Sequence, residues 1–396
     1  MPVQRREFIR NSALLTAGLV VPAWVVTRSR TQSSEPPTES SEPHTRSPEW
    51  ILGGGRYALP EAPGKWRHVL SLVDSVGSAR HTLELPFLPH AAVLDPTNPD
   101  RIVTFEKIGA GAADVDVSTM KLSRLIEPAP GRWFYGHGAF SPDGALLYST
   151  ETERATQQGV LAVRDAKTLE RLGEVPTHGA SPHDCHLIES GRVMVSTNGG
   201  GTKKSPHRPS VTWVELSSGK LLDRLELDTP LLNSGHVGLA ADRGVVVVSA
   251  PRAGLPTTDP GGVSIGRRGV SLLTMVDPKE IATRMQGEAL SVAIHPPTGI
   301  AAVTHPDANR LTFWSLHTQR FAGALELVKP RGVALNADGS AFWVSQGASA
   351  DLIAVSPETR EVIPGRERKN TLITGSHILN LTRARAAADR PKADQS

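Results

Sequence analysis

Five histidines, His90, His137, His183, His236 and His377, each open a short apolar run (HAAVL, HGAF, HDCHL, HVGL and HILNL). They are a large share of the 14 histidines in 396 residues, and they share one local setting. Imidazoles brought together at one site cannot all be protonated cheaply, and neutral imidazole is the commonest transition-metal ligand. Such a cluster suits a copper, iron or zinc ion, or an anion helped by Arg331, or a purely structural polar lining of a solvent channel. His183 begins a His-Asp-Cys-His run with His186. Residues three apart on an extended strand face opposite sides, so only one of the two can face a common site unless the strand is bulged. Pro182-His183 holds the loop-to-strand position, which favours His183, with Asp184 as an acceptor able to orient a neighbouring imidazole. Asn198, at the end of the next apolar run, is a further candidate for polar lining.

Other chemistry is scarce. Gly199-Gly200-Gly201-Thr202-Lys203-Lys204 lacks phosphate-loop spacing and opens no predicted helix, so it reads as a surface turn. Glu151 and Glu153 read as a solvated face. There is no Gly-x-Ser-x-Gly elbow. The single cysteine, Cys185, excludes an internal disulfide and a thiolate metal cluster.

The elements that must position these residues repeat. The unit is an apolar strand, a turn rich in Asp, Gly, Asn or Pro, and a second apolar strand. Copies start at His90, His137, His183, His236, Ser291 and Arg331, and His377 opens a truncated one. The six intervals average about 48 residues, and hairpin patterns such as Gly159–Val175, Val211–Leu227 and Leu311–Leu327 lie between copies. Four strands per such interval is the signature of a propeller blade. The expected fold is all-β, a seven-bladed β-propeller over residues 51–381. Its last blade would be completed by strands near Arg67–Val76 and Ala79–Pro86, closing the ring with both chain ends and leaving no open sheet edge. First strands line the axis, so the five histidines, with Arg331 and Ser291 in the remaining phases, should meet at one channel mouth. Residues 382–396 lack apolar pattern and are expected to be disordered.

The start of the chain reads as an address. Arg5-Arg6 is followed by an uncharged apolar stretch from Ala13 to Val26, too short for the ~20 residues that span a bilayer. Residues 1–30 resemble a twin-arginine (Tat) export signal, cleaved or kept as a membrane tether. Residues 31–50, rich in Ser, Glu, Pro and Thr, read as a disordered linker. The net charge of +3 comes from the arginines of that signal. The remaining body is near neutral and carries no electrostatic footprint for nucleic acid. The expected protein is periplasmic and monomeric.

Gly131–Glu151 (GRWFYGHGAFSPDGALLYSTE) and Gly173–Gly200 (GEVPTHGASPHDCHLIESGRVMVSTNGG) resemble segments of a bacterial family of Tat-exported seven-bladed propellers, a domain of unknown function. Asn233–Ala240 and Leu290–Pro306 are similar to its later blades. The resemblance implies channel positions at His137, His178, His183, Asn198 and His236, of which His178 enters only this way. Gly235 stands before His236 where the family has Arg, and GTKKSPHRPS replaces a Thr-His-Pro segment, leaving His207 as its counterpart. Members occur beside imelysin-type iron-uptake proteins, which implies partners in periplasmic iron uptake. We therefore expect His137, His178, His183 and His236 as metal ligands, with His90, Arg331, His377 and Asn198 binding a ligand at the same mouth. A copper- or iron-dependent redox enzyme and a non-catalytic interaction scaffold are the competing functional classes.

Overall fold

The computed structural model describes residues 48–389 apart from 60, 61 and 63. The export signal and the linker up to residue 47 lie outside the described residues. The remaining chain forms 28 strands, two short α-helices and one 3₁₀ turn. All pairing between strands is antiparallel, and the architecture is a β-propeller.

The repeat predicts seven separate sheets, and the hydrogen bonding differs. Five sheets have four strands and one has eight. The cause is the length of one strand. Asn98–Gly109 runs for 12 residues and, past its own hairpin partners, reaches the Arg132–Phe140 strand through the pairs Lys107↔Tyr135 and Gly109↔Phe134.

Each unit is a meander whose turns are set by short polar side chains. In Ser141-Pro142-Asp143-Gly144, Ser141 Oγ donates to Asp143 (2.5 Å) and accepts from the amide of Leu146 (2.8 Å). Asn336-Ala337-Asp338-Gly339 repeats the device, with Asn336 bonded to Asp338 (2.6 Å) and to the amide of Ala341 (2.9 Å). Packing joins neighbouring sheets rather than staying within one. Val195, Val211 and Trp213 share a cluster with Val245 and Val247, all essentially solvent-free. Ala302, Leu311 and Phe313 do the same with Phe342, Val344 and Ile353.

Strands from the two ends of the described chain close the last sheet. Ile378–Asn380 pairs with Trp50–Ala58, which pairs in turn with Trp66–Asp74 and through it with Arg80–Leu85. The Trp50–Ala58 strand was not among those expected to close the ring, and Glu49 and Trp50, assigned to the linker, are part of the joint. Glu49 Oε2 accepts from Asn380 Nδ2 (2.6 Å), the Ala337 amide (2.9 Å) and Trp343 Nε1 (3.2 Å). The expected disorder is corrected for residues 382–388, and residues 390–396 lie outside the described residues. Leu381–Ala388 is a helix, capped by Asn380 accepting from the Arg383 amide (2.9 Å), with Leu381 fully buried. Arg383 reaches the carbonyls of Asn336 and Ala337, and Arg385 pairs with Asp100 (2.8 Å), so the helix is tied across the seam. One apolar anchor and long cationic side chains hold it, which a search for apolar periodicity overlooks.

Candidate functional site

The innermost strands Pro89–Asp95, Arg132–Phe140, Pro182–Ile188 and His236–Leu239, together with the segment entering Ile378–Asn380, bring five histidines to one place. Three of these strands are bulged where the histidine stands. Register slips between Pro89 and Ala91 around His90, between Phe134 and Gly138 around His137, and between Pro182 and Cys185 around His183. A bulge re-aims a side chain that regular alternation would send elsewhere. Gly136 makes the second one possible. Its φ is +111°, and a Cβ there would stand 2.6 Å from His90 Cδ2 and 3.1 Å from His183 Cε1.

The ring nitrogens converge. His236 Nε2 is 2.8 Å from His377 Nε2 and 3.4 Å from His90 Nε2, and His90 Nε2 is 3.3 Å from His183 Nε2. His90, His137, His236 and His377 each offer a nitrogen within 4.8 Å of the others. With metal–nitrogen bonds of ~2.0–2.1 Å, two nitrogens on one ion stand ~3.0 Å apart at a right angle and ~3.4 Å apart at the tetrahedral angle. The three short spacings, His236–His377, His90–His236 and His90–His183, match ligands on a common ion, and His183 stands outside the four-histidine group.

The far sides of two rings fix their tautomers. His137 Nδ1 donates to Asp184 Oδ1 at 3.1 Å, and His183 Nδ1 donates to the Tyr135 carbonyl at 2.5 Å. Each bond leaves Nε2 with a free lone pair. His137 Nε2 is buried with no partner among the described residues. Asp184 is itself held by the amides of Cys185 (2.8 Å) and Val237 (3.0 Å) and by His186 Nε2 (3.2 Å). Burial would raise its carboxyl, but the imidazoles of His186 and His137 outweigh that and keep it well below the usual carboxylate range. Burial, reinforced by neighbouring imidazoles, holds His90, His183, His236 and His377 far below the ordinary histidine value. These four are therefore neutral near pH 7, the state in which imidazole binds a metal.

The histidine layer separates two cavities. Toward the channel, about 210 Å³ is lined by His90, His137, His236 and His377 with apolar walls such as Ala92, Val292 and Val333. Toward the mouth, about 190 Å³ is lined by His183 with Lys107, Tyr135, Ser234 and Glu288.

Three expected positions stand apart from this cluster. His178 closes the Arg171–Ala180 strand, and its Nε2 bonds the Gly219 carbonyl (2.8 Å) in an outer hairpin turn, so it is not among the gathered rings. Its motif lies at a strand end, but on an outer strand. Asn198 is buried against Thr212 Oγ1 (3.0 Å) and lines neither cavity. Arg331 also lines neither; its Nε donates to the Gly375 carbonyl (3.3 Å) behind the cluster, where its charge bears on His377. Ser291, in the phase without a histidine, lines the channel cavity. Glu151 is no solvated residue: it is fully buried and paired with Arg164 at 2.6 Å. The Gly199–Lys204 turn is stapled by buried Arg252, which donates to the Gly200 carbonyl at 2.5 Å, and its Gly199 and Gly201 border the mouth. Lys107, Glu288, Ser234 and Tyr135 reach the site from outside the repeated motif or through a main-chain atom, and no local signal marks them.

Fold and site together define a β-propeller with a buried axial cluster of imidazoles. The chain belongs to the family described as "Protein of unknown function (DUF1513)", which matches residues 83–375. Among solved structures, hydrazine synthase of Kuenenia stuttgartiensis is similar at 15% identity and TM-score 0.58, over 74% of this chain and 92% of that one. Dihydro-heme d1 dehydrogenase NirN in complex with DHE is similar at 12% identity and TM-score 0.53, over 84% and 69%. At these identities the likeness is one of fold. No curated protein sequence matches the chain. Among the described residues no helix is long and apolar enough to cross a membrane.

Proposed function

We propose that the axial histidines hold one first-row transition-metal ion, iron or copper, in an all-nitrogen setting, within a seven-bladed propeller. The carrying observation is the approach of the His90, His183, His236 and His377 ring nitrogens at 2.8–3.4 Å beside His137, with the Nδ1 of His137 tied to Asp184 and that of His183 to Tyr135. No thiolate takes part and the carboxylate of Asp184 stays behind His137, a donor set that suits iron or copper. The ligands in this reading are His90, His137, His183, His236 and His377. The seven-blade count rests on the eight-stranded sheet, whose two four-stranded halves meet through only two register pairs.

NirN's structure contains DHE. Here the two cavities measure about 210 and 190 Å³, below the ~300–1,000 Å³ of pockets that enclose drug-sized ligands. That favours a bare ion over a macrocycle. The finer reading sets the protein in the periplasm, serving iron acquisition beside iron-uptake proteins; the Arg5-Arg6 leader and the family resemblance support it. A redox enzyme is the second reading, favoured by the polar mouth over the histidines, and turnover with an electron acceptor separates the two.

The test is elemental analysis of full-length protein matured through its own leader. One equivalent of iron or copper is expected, lost in His137→Ala/His236→Ala while the fold persists by circular dichroism. Metal-free wild type that also fails to take up either ion would end the proposal.

A further inference from the structure

We infer that the mouth side of this cluster is a binding site for a small anion of carboxylate or simple oxyanion size, held by Lys107 and the Ser234 hydroxyl against the ion. The inference rests on the metal reading and adds what the metal binds.

Charge is the first argument. Neutral imidazoles leave a bound cation's charge uncompensated, and Asp184, the one carboxylate paired with their rings among the described residues, stands behind His137 and His186 rather than at the mouth. On the mouth side Lys107 lines the same cavity as His183 and adds a further positive charge. Among the described residues lining this cavity Glu288 is the only acid, and it is paired with Lys107 at 3.1 Å. Both side chains of that pair are one-third exposed, so it can open to solvent at little cost. Glu288 thus occupies the place of an exchangeable counter-anion.

Ser234 adds an unmet hydrogen bond. Ser234 lines the same cavity and is fully buried, and its hydroxyl has no partner among the described residues. A buried hydroxyl without a partner has lost its water and gained nothing in return, and an entering anion would accept from it. The cavity of about 190 Å³ sets the size of the guest. The channel side, with apolar walls and no lysine or arginine lining it, offers no such place.

Azide is the probe, titrated into metal-loaded full-length protein and followed by its charge-transfer absorption. Saturable binding is expected in the wild type. Lys107→Ala should weaken it about tenfold, Ser234→Ala severalfold, and Glu288→Gln should tighten it, all with unchanged metal content. Equal azide affinity in wild type and Lys107→Ala, or weaker binding in Glu288→Gln, would overturn the site. Wild type without metal would remove the reading beneath it, and elemental analysis distinguishes that failure from a metal-loaded protein that ignores azide.

Discussion

Asp184 shows how one side chain can organise several others. It accepts from two amides and meets two imidazoles, and only the bond to His137 bears on the converging nitrogens. An acceptor behind a metal-bound histidine fixes its tautomer and raises its basicity, and losing it typically costs ~10–100-fold in metal affinity. Asp184→Asn keeps the volume but leaves one acceptor oxygen where Cys185 N–H bonds Oδ1 and Val237 N–H bonds Oδ2, so the amide NH2 faces a donor on one side. Metal affinity measured by chelator competition should fall within that range, and the unmet backbone amide should lower the stability of the metal-free protein by about 1–3 kcal/mol. An unchanged affinity would show that His137 needs no such partner.

The bulges matter at the scale of the strand. A regular strand alternates its faces, so the histidines of three inner strands owe their aim to local irregularity. Gly136→Ala would push a methyl against the His90 and His183 rings at a φ of +111°. A loss of about 1–3 kcal/mol in stability is expected from overpacking and backbone strain, read by urea unfolding, together with loss of bound metal. Retained metal would mean the rings have slack the geometry does not show. These strands also mark how far the sequence could be read. The period of about 48 residues placed every inner strand and the shared phase of its histidines, because repetition averages out local ambiguity. Bulges insert only one or two residues and left no such trace, and neither did His178's outward place. Lys107 and Glu288 come to the mouth from distant parts of the chain, which only the closed ring juxtaposes.

The whole ring depends on its seam and on the protonation of what it buries. Glu49 bridges three donors on two later segments, and hydrogen bonds to a charged group are worth ~1.5–3 kcal/mol each before overlap. Glu49→Ala should therefore lower unfolding free energy by about 2–4 kcal/mol without touching the metal, a separation that denaturant titration with metal analysis can check. Acid acts on the ring as a whole. His305 is fully buried against Thr312 Oγ1 at 2.9 Å, and burial, with the nearby Arg310 charge, lowers it to about 3. Between its unfolded value near 6.5 and about 3, the unfolded chain binds a proton that the folded chain refuses. Stability is thus fully present above pH 6.5 and falls as pH drops through that window, by up to ~1.4 kcal/mol per unit for such a group. His90, His183, His236 and His377 are lowered for the same reason and steepen the loss. Metal-free protein should accordingly lose stability steeply from pH 6.5 to 4.5, while His305→Asn should show a shallower slope. A bound ion competes with those protons for the same nitrogens, so metal-loaded protein should hold its melting temperature further into acid than the metal-free form. Equal acid sensitivity of the loaded and metal-free forms would mean that the ion, wherever it sits, is not bound to the imidazoles.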